Sequence, residues 1–165
     1  MKAFWTLLLL SIFLSCTTKK AEPPIVSDQT LFELAQHTPG FSYYKGRPDT
    51  LPADPSSPHG SFVRVRFNPT ARAAMNDSIS QLTETTFPDE SMIVKEVYDQ
   101  RGGQLKAYAI LYKLKNNANS SGGWLWSETD PVGNVLYSVE KKGEDCFSCH
   151  SSSTNIDFVK TFGLH

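Results

Sequence analysis

The most distinctive chemistry in this 165-residue chain lies in the run Cys146-Phe147-Ser148-Cys149-His150, close to the C-terminal end. Two thiols three positions apart can each form a thioether with one of the two vinyl groups on a haem edge. The histidine that follows directly can then turn its imidazole towards the iron as an axial ligand. The run therefore predicts one covalently attached c-type haem, bound at Cys146, Cys149 and His150.

Three other uses of a Cys-x-x-Cys pair compete with this interpretation. A thioredoxin-like redox pair follows the first strand of a parallel unit, whereas only fifteen residues follow His150. A structural zinc site needs a second pair of ligands, and the remaining histidines, His37, His59 and His165, are scattered. A disulfide across so short a loop would be strained. Haem attachment is favoured, because with 3 Cys and 4 His in 165 residues the chance expectation for the motif is roughly one in a thousand.

The residues after the motif offer little as a second iron ligand, since residues 151–165 contain no methionine. Any group on the distal side must then come from earlier in the chain. Met75 and Met92 are both typical of core positions, so the sequence favours an open iron that binds small diatomic or nitrogenous ligands. The alternative is a six-coordinate haem for electron transfer, with Met92, Lys95 or a histidine as the second ligand.

The N-terminus has the layout of an export signal. A positive residue precedes an apolar run, residues 3–14, which is too short to span a bilayer. The run ends at Phe13-Leu14-Ser15-Cys16, which resembles a lipobox, so residues 1–16 are expected to form a lipoprotein signal peptide with Cys16 as the lipidated residue. The alternative is an ordinary secretory signal. We expect an exported protein on the periplasmic face, anchored to a membrane by its lipid, with the outer membrane preferred because Thr17 is not acidic.

The bulk composition limits the size of the fold and its partners. About 150 residues remain after the signal, which is enough for one hydrophobic core. Sixteen basic and seventeen acidic residues give a formal net charge of −1, so the chain lacks the basic surface of a nucleic-acid-binding protein. We expect a tether with a short helix in residues 17–40 and a haem domain in residues 41–165.

Hydrophobic patterning predicts the elements that position the motif. Period-two alternation predicts five strands, at residues 61–67, 91–98, 105–114, from 124 onwards, and 135–139, the last being alternatively a short helix. Helical spacing predicts one helix capped by Asp28 and another over residues 70–82, while residues 41–60 contain four prolines and are predicted to be a loop. Short links between strands require antiparallel pairing. The predicted fold class is α+β: a mainly antiparallel β-sheet with flanking helices and the haem motif near the C-terminus.

With these elements the chain resembles the cytochrome P-460 family and its relative cytochrome c′-β, over roughly residues 60–162. Three stretches carry the resemblance: Phe62-Val63-Arg64-Val65-Arg66-Phe67-Asn68-Pro69, Phe87-Pro88-Asp89-Glu90-Ser91-Met92-Ile93-Val94-Lys95-Glu96-Val97, and the haem motif followed by Asp157-Phe158-Val159 and Phe162. The haem motif alone is not specific to one family. Its C-terminal place, downstream of a strand containing Val-Lys-Glu, is far more specific.

The resemblance implies a mostly antiparallel β fold, commonly a homodimer, that acts on small nitrogen species. Members with a lysine-to-haem crosslink oxidise hydroxylamine, and Lys95 stands at the matching position. Members without the crosslink bind nitric oxide or similar gases behind an apolar cap. The alternative for Lys95 is an exposed strand lysine. A redox partner protein is a further expectation for a haem protein of this kind.

The distal side of the predicted haem is the main departure from the family pattern. Leu111 aligns where the family has a distal carboxylate, which favours an apolar pocket over an enzyme. Phe62, Phe67 and Leu111 are the candidate pocket-wall residues. Glu96 or Glu128 could replace the missing acid only if its strand face points inward. The sequence predicts an open haem iron that binds nitric oxide or oxidises hydroxylamine, with non-catalytic electron transfer or gas sensing as the alternative.

Overall fold

A computed structural model describes residues 25–75 and 86–160 of the chain. The predicted signal peptide, Cys16 and most of the predicted tether lie outside these ranges, as do Phe162 and His165. Within the described ranges, no helix is long and apolar enough to cross a membrane.

The described part of the chain folds around one antiparallel sheet, as the sequence predicted. The strand order is β1-β3-β4-β5-β6-β7, and β2 pairs with the other end of β3. Neighbours from β3 to β7 follow chain order; the connections β4–β5 and β6–β7 are short, whereas the connection from β3 to β4 is longer and contains a helix. The strands are β1 (Ser42–Tyr43), β2 (Leu51–Pro52), β3 (Phe62–Phe67), β4 (Met92–Tyr98), β5 (Leu105–Lys113), β6 (Trp124–Thr129) and β7 (Val135–Tyr137).

In the described ranges, three α-helices flank this sheet. They are α1 (Asp28–Gln36), α2 (Pro69–Ala73) and α3 (Glu144–His150). Short 3₁₀ turns occupy Tyr44–Gly46 and Val139–Lys141. The fold is therefore α+β, with the Cys-x-x-Cys-His motif on the last helix.

Several predicted boundaries were wrong. The side chain that caps α1 belongs to Ser27, which accepts from the Thr30 N–H, and Asp28 is the first helical residue. The predicted helix over residues 70–82 ends at Ala73, where tight i to i+3 bonds close the last turn and Met75 enters the core; residues 76–82 lie outside the described ranges. The predicted loop at residues 41–60 contains β1 and β2, because two-residue strands are too short to show alternation.

The sheet is covered on both faces. On one face α1 packs over a cluster that includes Val94, Ile110 and Leu125. On the other face a second cluster includes Phe67, Ile93 and the two tryptophans of β6, with partly buried residues of the C-terminal segment packed against it. Because both faces are buried, the strands carry few positions that are free to be polar, and the buried charged residues Arg66, Glu96 and Lys113 each have an ion-pair partner.

Arg66 illustrates this rule on the α1 face. Alternation along β3 puts Arg66 on the strand face opposite the apolar residues, where an exposed side chain is expected. It is nevertheless only 3% exposed. Its guanidinium donates to the carbonyl of Ala35 at the end of α1 (3.0 Å) and lies against the Glu96 carboxylate (2.8 Å). Burial of this arginine follows from the helix that covers it, which a pattern within one strand does not reveal.

Asp28 fixes α1 to the sheet close to the motif helix. Its carboxylate accepts hydrogen bonds from the hydroxyls of Ser127 (2.6 Å) and Ser138 (2.7 Å) and from the backbone N–H of Val139 (2.8 Å). The two serines and Val139 lie on β6 and on the turn just before α3. One side chain near the start of the domain thereby holds the segment that leads into the haem motif.

Replacing this carboxylate is expected to destabilise the domain strongly. D28A leaves three donors without their acceptor, and hydrogen bonds to a charged group contribute about 1.5–3 kcal/mol each, with non-additive losses. We expect the free energy of unfolding in urea to fall by about 3 kcal/mol. E33A removes an exposed carboxylate from the same helix and serves as the control, with an expected change below about 0.5 kcal/mol. Equal effects of the two substitutions would contradict this account.

Candidate functional site

The three motif residues share one short helix that starts against the sheet. Gly143 precedes α3 with φ +70°, and a Cβ atom there would lie 2.6 Å from the Trp126 ring. Glycine is therefore required both by the backbone conformation and by the close approach. In this arrangement Cys146 is partly buried, Cys149 is exposed, and both thiols are free. The helical spacing places both cysteines and His150 on neighbouring turns, although the sequence had not predicted a helix here.

His150 is held as a neutral imidazole with one nitrogen committed. Its Nδ1 lies 2.7 Å from the carbonyl of Phe158, and its ring stands edge to face with Trp126 at 5.0 Å between ring centres. A carbonyl can only accept, so Nδ1 carries the proton and Nε2 keeps its lone pair. Burial lowers the pKa of His150 to about 4, which keeps the ring neutral at physiological pH. This is the tautomer that an iron ligand requires, and it fits a haem on the Nε2 side.

A cavity lies between α3 and the covered sheet face. Two spaces of about 40 and 330 Å³ share much of their lining. The larger falls within the roughly 300–1,000 Å³ typical of ligand sites. Residues shared by both walls are His59, Lys95, Glu128, Tyr137, Cys146, His150 and Lys160. The cavity therefore brings the motif, the strand lysine and one strand carboxylate to the same place.

Sheet register explains why these side chains meet. Lys95 on β4 pairs directly with Ala109 on β5, and Ala109 pairs directly with Glu128 on β6. Residues that are directly opposite point to the same face of a sheet. The small side chain of Ala109 leaves space between the amine and the carboxylate. The next row on this face, Ile93, Leu111 and Trp126, is apolar and forms the adjacent wall.

Lys95 is a cavity residue whose amine is easily neutralised. Burial, with the like charge of Lys160, lowers its pKa to about 8, although the opposite charge of Glu128 acts in the other direction. A substantial fraction of this amine is thus uncharged just above neutral pH. The structure places the predicted crosslinking residue in the wall that faces His150, and a bond between Lys95 and a porphyrin stays a prediction.

The two strand acids that the sequence left open lie on opposite faces. Glu128 lines the cavity, and its carboxylate is 2.9 Å from Nδ1 of His59. Glu96 faces α1, where it pairs with Arg64 and Arg66 and accepts from the Tyr98 hydroxyl (2.9 Å). Of these two strand acids, Glu128 is therefore the one that is available to a ligand in the cavity.

The three candidate wall residues have different positions. Leu111 lies in the cavity wall. Phe67 is fully buried in the core beside Tyr44, and Phe62 lies against Arg101; neither is among the residues that line these spaces. Sequence reasoning missed His59, since a histidine in a proline-rich loop carries no periodic signal. Glu128 could have been placed from parity alone, because it is two residues from Trp126 on the same strand.

A Cys-x-x-Cys-His helix above an antiparallel sheet, with a neutral histidine lining a cavity between them, is the arrangement expected of a haem protein. The sequence model of the Cytochrome P460 family matches residues 44–161, and the chain belongs to this family. A comparison with curated proteins found no match.

The different surroundings of the two thiols should be visible in the protein without haem. Burial raises the pKa of Cys146 to about 11, so at pH 8 only about one Cys146 in a thousand is the reactive thiolate. Exposed Cys149 is expected to react with iodoacetamide first, and the Cys146 rate should rise about tenfold per pH unit up to its pKa.

Tandem mass spectrometry assigns the label to one thiol or the other. Protein unfolded in urea is the control, because the two thiols should then react at similar rates. Faster labelling of Cys146 in the folded chain would contradict the burial described for it.

Proposed function

We propose that this protein is a monohaem c-type cytochrome that binds small nitrogen species at an open iron and oxidises hydroxylamine. The observation that supports this proposal is the row Lys95–Ala109–Glu128, which brings a proton acceptor into the cavity lined by His150. Cys146 and Cys149 would hold the haem by thioethers, and His150 would be its axial ligand. When bound, the haem supplies an iron that takes the nitrogen atom of the substrate and accepts its electrons.

Glu128 and His59 are the residues assigned to proton transfer. Loss of two electrons and two protons converts hydroxylamine into nitroxyl, HNO. The electrons would leave through the haem to an external redox protein. The protons need a base within the cavity, and the carboxylate of Glu128 is suited to this because the ring of His59 holds it at 2.9 Å. The carboxylate side chain is 28% exposed, so protons can pass on to solvent.

Two specific observations favour alternative functions of the same haem site. The apolar row Ile93, Leu111 and Trp126 suits a gas such as nitric oxide, which needs no proton acceptor. The ring of His59 lies 6.4 Å from that of His150, and its Nδ1 is held by a carboxylate as in many metal-bound histidines. If His59 bound the iron, the site would be closed to ligands and suited to electron transfer alone.

The cellular setting of this function remains the one expected from the sequence. We propose a mature protein that is exported, carries lipid on Cys16 and lies on the periplasmic face of the outer membrane. A homodimer and a soluble or membrane-bound redox protein are the proposed partners.

Substitution of the cavity acid tests the enzymatic proposal. E128Q keeps the shape of the side chain but removes its basicity, and general-base groups typically contribute 10²–10⁴-fold to a rate. We expect hydroxylamine-dependent reduction of an artificial electron acceptor to fall at least about 100-fold. Nitric oxide binding, followed by the optical spectrum, should persist in this variant.

The matched control is E96Q, which makes the same change on the opposite face of the sheet. It should keep most of its hydroxylamine activity at a temperature where it is folded. A fully active E128Q would refute the assignment of Glu128. A wild-type protein that binds nitric oxide but leaves hydroxylamine unchanged would establish the gas-binding alternative, and a low-spin spectrum that ignores both would establish electron transfer.

Covalent attachment has its own test in intact mass. Protein made with haem-attachment machinery should be heavier than the mature chain by one haem, and C146S/C149S should lack this increment. A Lys95 crosslink would appear as a red-shifted Soret band on reduction that K95M abolishes. A wild-type mass without the added porphyrin would overturn the proposed haem attachment.

A further inference from the structure

A buried ion pair on the cavity face of the sheet has no role in the chemistry proposed above. Lys113, the last residue of β5, is 1% exposed. Its ammonium donates to both carboxylate oxygens of Asp157, at 2.8 and 2.9 Å, and the Asp157 side chain is 3% exposed. The ammonium also lies 4.7 Å from the centre of the Trp124 ring and 3.3 Å from the Gly122 carbonyl.

Both carboxylate oxygens and the backbone carbonyl of Asp157 are hydrogen-bonded. Its second carboxylate oxygen accepts from the backbone N–H of Phe87 (2.8 Å), and its backbone carbonyl accepts from the indole N–H of Trp124 (2.8 Å). Desolvation makes such a pair a poor source of stability compared with apolar side chains of similar volume. The role of this pair is therefore better explained by the geometry that it imposes on its neighbours than by stability.

The pair holds a tight turn in which Asp157 is the first of the two central residues. The turn spans Ile156 to Val159 and is closed by the Val159 N–H on the Ile156 carbonyl at 2.9 Å. Both central residues have positive φ, +49° for Asp157 and +66° for Phe158. Turns of this kind favour Asn, Asp and Gly at the centre, so phenylalanine is held there against its own preference. The contacts of Asp157 supply the constraint.

Phe158 connects this turn to His150, the proposed axial ligand. Its ring packs on Phe147 (5.1 Å between centres) and over Gly122, where a Cβ atom would lie 2.8 Å from the ring. Its carbonyl is the group that accepts the Nδ1 proton of His150 at 2.7 Å. An imidazole that donates a short hydrogen bond at Nδ1 is a more basic ligand at Nε2, and its ring orientation is fixed.

We propose that the Lys113–Asp157 ion pair positions the axial histidine: it holds the turn at residues 156–159 so that the Phe158 carbonyl fixes the orientation and donor strength of His150. Lys113 and Asp157 are positioning residues, since neither lines the cavity. The inference rests on the proposed ligation of haem iron by His150, and it is independent of the nitrogen substrate.

The test is a charge-free double substitution in the haem-loaded protein. K113M/D157N removes both charges at once, so no unpaired charge remains in the core, and it should fold even if K113M or D157N alone does not. Resonance Raman of the ferrous protein gives the iron–histidine stretching band, and redox titration gives the midpoint potential. We expect the band to move to lower frequency and broaden, and the potential to rise, because a weaker hydrogen bond at Nδ1 makes the imidazole a poorer donor to ferric iron.

R66M/E96Q is the matched control, since it removes a buried ion pair from the opposite sheet face. It should lower the thermal midpoint as K113M/D157N does while leaving the Raman band and the potential unchanged. A folded K113M/D157N with a wild-type band and potential would overturn the proposal, as would equal spectral shifts in the control.

The outcomes also separate this inference from the proposed function. Haem-loaded protein whose iron–histidine band and midpoint potential are unchanged by H150A would refute ligation by His150, and both proposals with it. Shifts confined to K113M/D157N, in a protein indifferent to hydroxylamine and nitric oxide, would support the positioning role and refute only the proposed chemistry.

Discussion

The pairing register of β4, β5 and β6 is the constraint on which the site depends. Lys95, Ala109 and Glu128 stand in one row because each strand is paired in that register with the next. A slip of one residue would turn Lys95 towards α1 and bring Glu96 to the cavity, since the side-chain period of a strand is two. The apolar residues of both faces oppose such a slip. Hydrophobic packing thus determines which charges reach the haem side.

Charged side chains on the two faces of the sheet have different surroundings. On the α1 face, Glu96 is enclosed by two arginines and a tyrosine hydroxyl, which form a structural network around its carboxylate. On the cavity face, Lys95 makes no ion pair with another described residue, and burial depresses its pKa. An amine kept in this state lowers stability at neutral pH, because its protonated form is favoured in the unfolded chain. Such residues are concentrated at functional sites.

The sequence was sufficient for the parts of the fold that repeat. Alternation located β3, β4 and β5 within about a residue, and the short link between β4 and β5 correctly indicated their antiparallel pairing. It was insufficient where one element covers another. Burial of Arg66 depends on α1, and the pairing of His59 with Glu128 joins a loop to a distant strand. The motif residues were found by type and spacing, whereas the support for His150 comes from the Phe158 carbonyl, whose position no residue identity encodes.

Docking of α1 through Asp28 bears on the distance between the haem motif and a membrane that anchors Cys16. Ten residues lie between Cys16 and Ser27, and an extended chain spans at most about 3.5 Å per residue, so a lipid on Cys16 would hold the start of the domain within about 40 Å of the bilayer surface. Because Asp28 bonds the turn before α3, the first helix and the motif helix are tied together. Electron exchange would then be confined to a thin layer beside the membrane, where a partner diffusing in two dimensions meets the haem far more often than one from bulk solution.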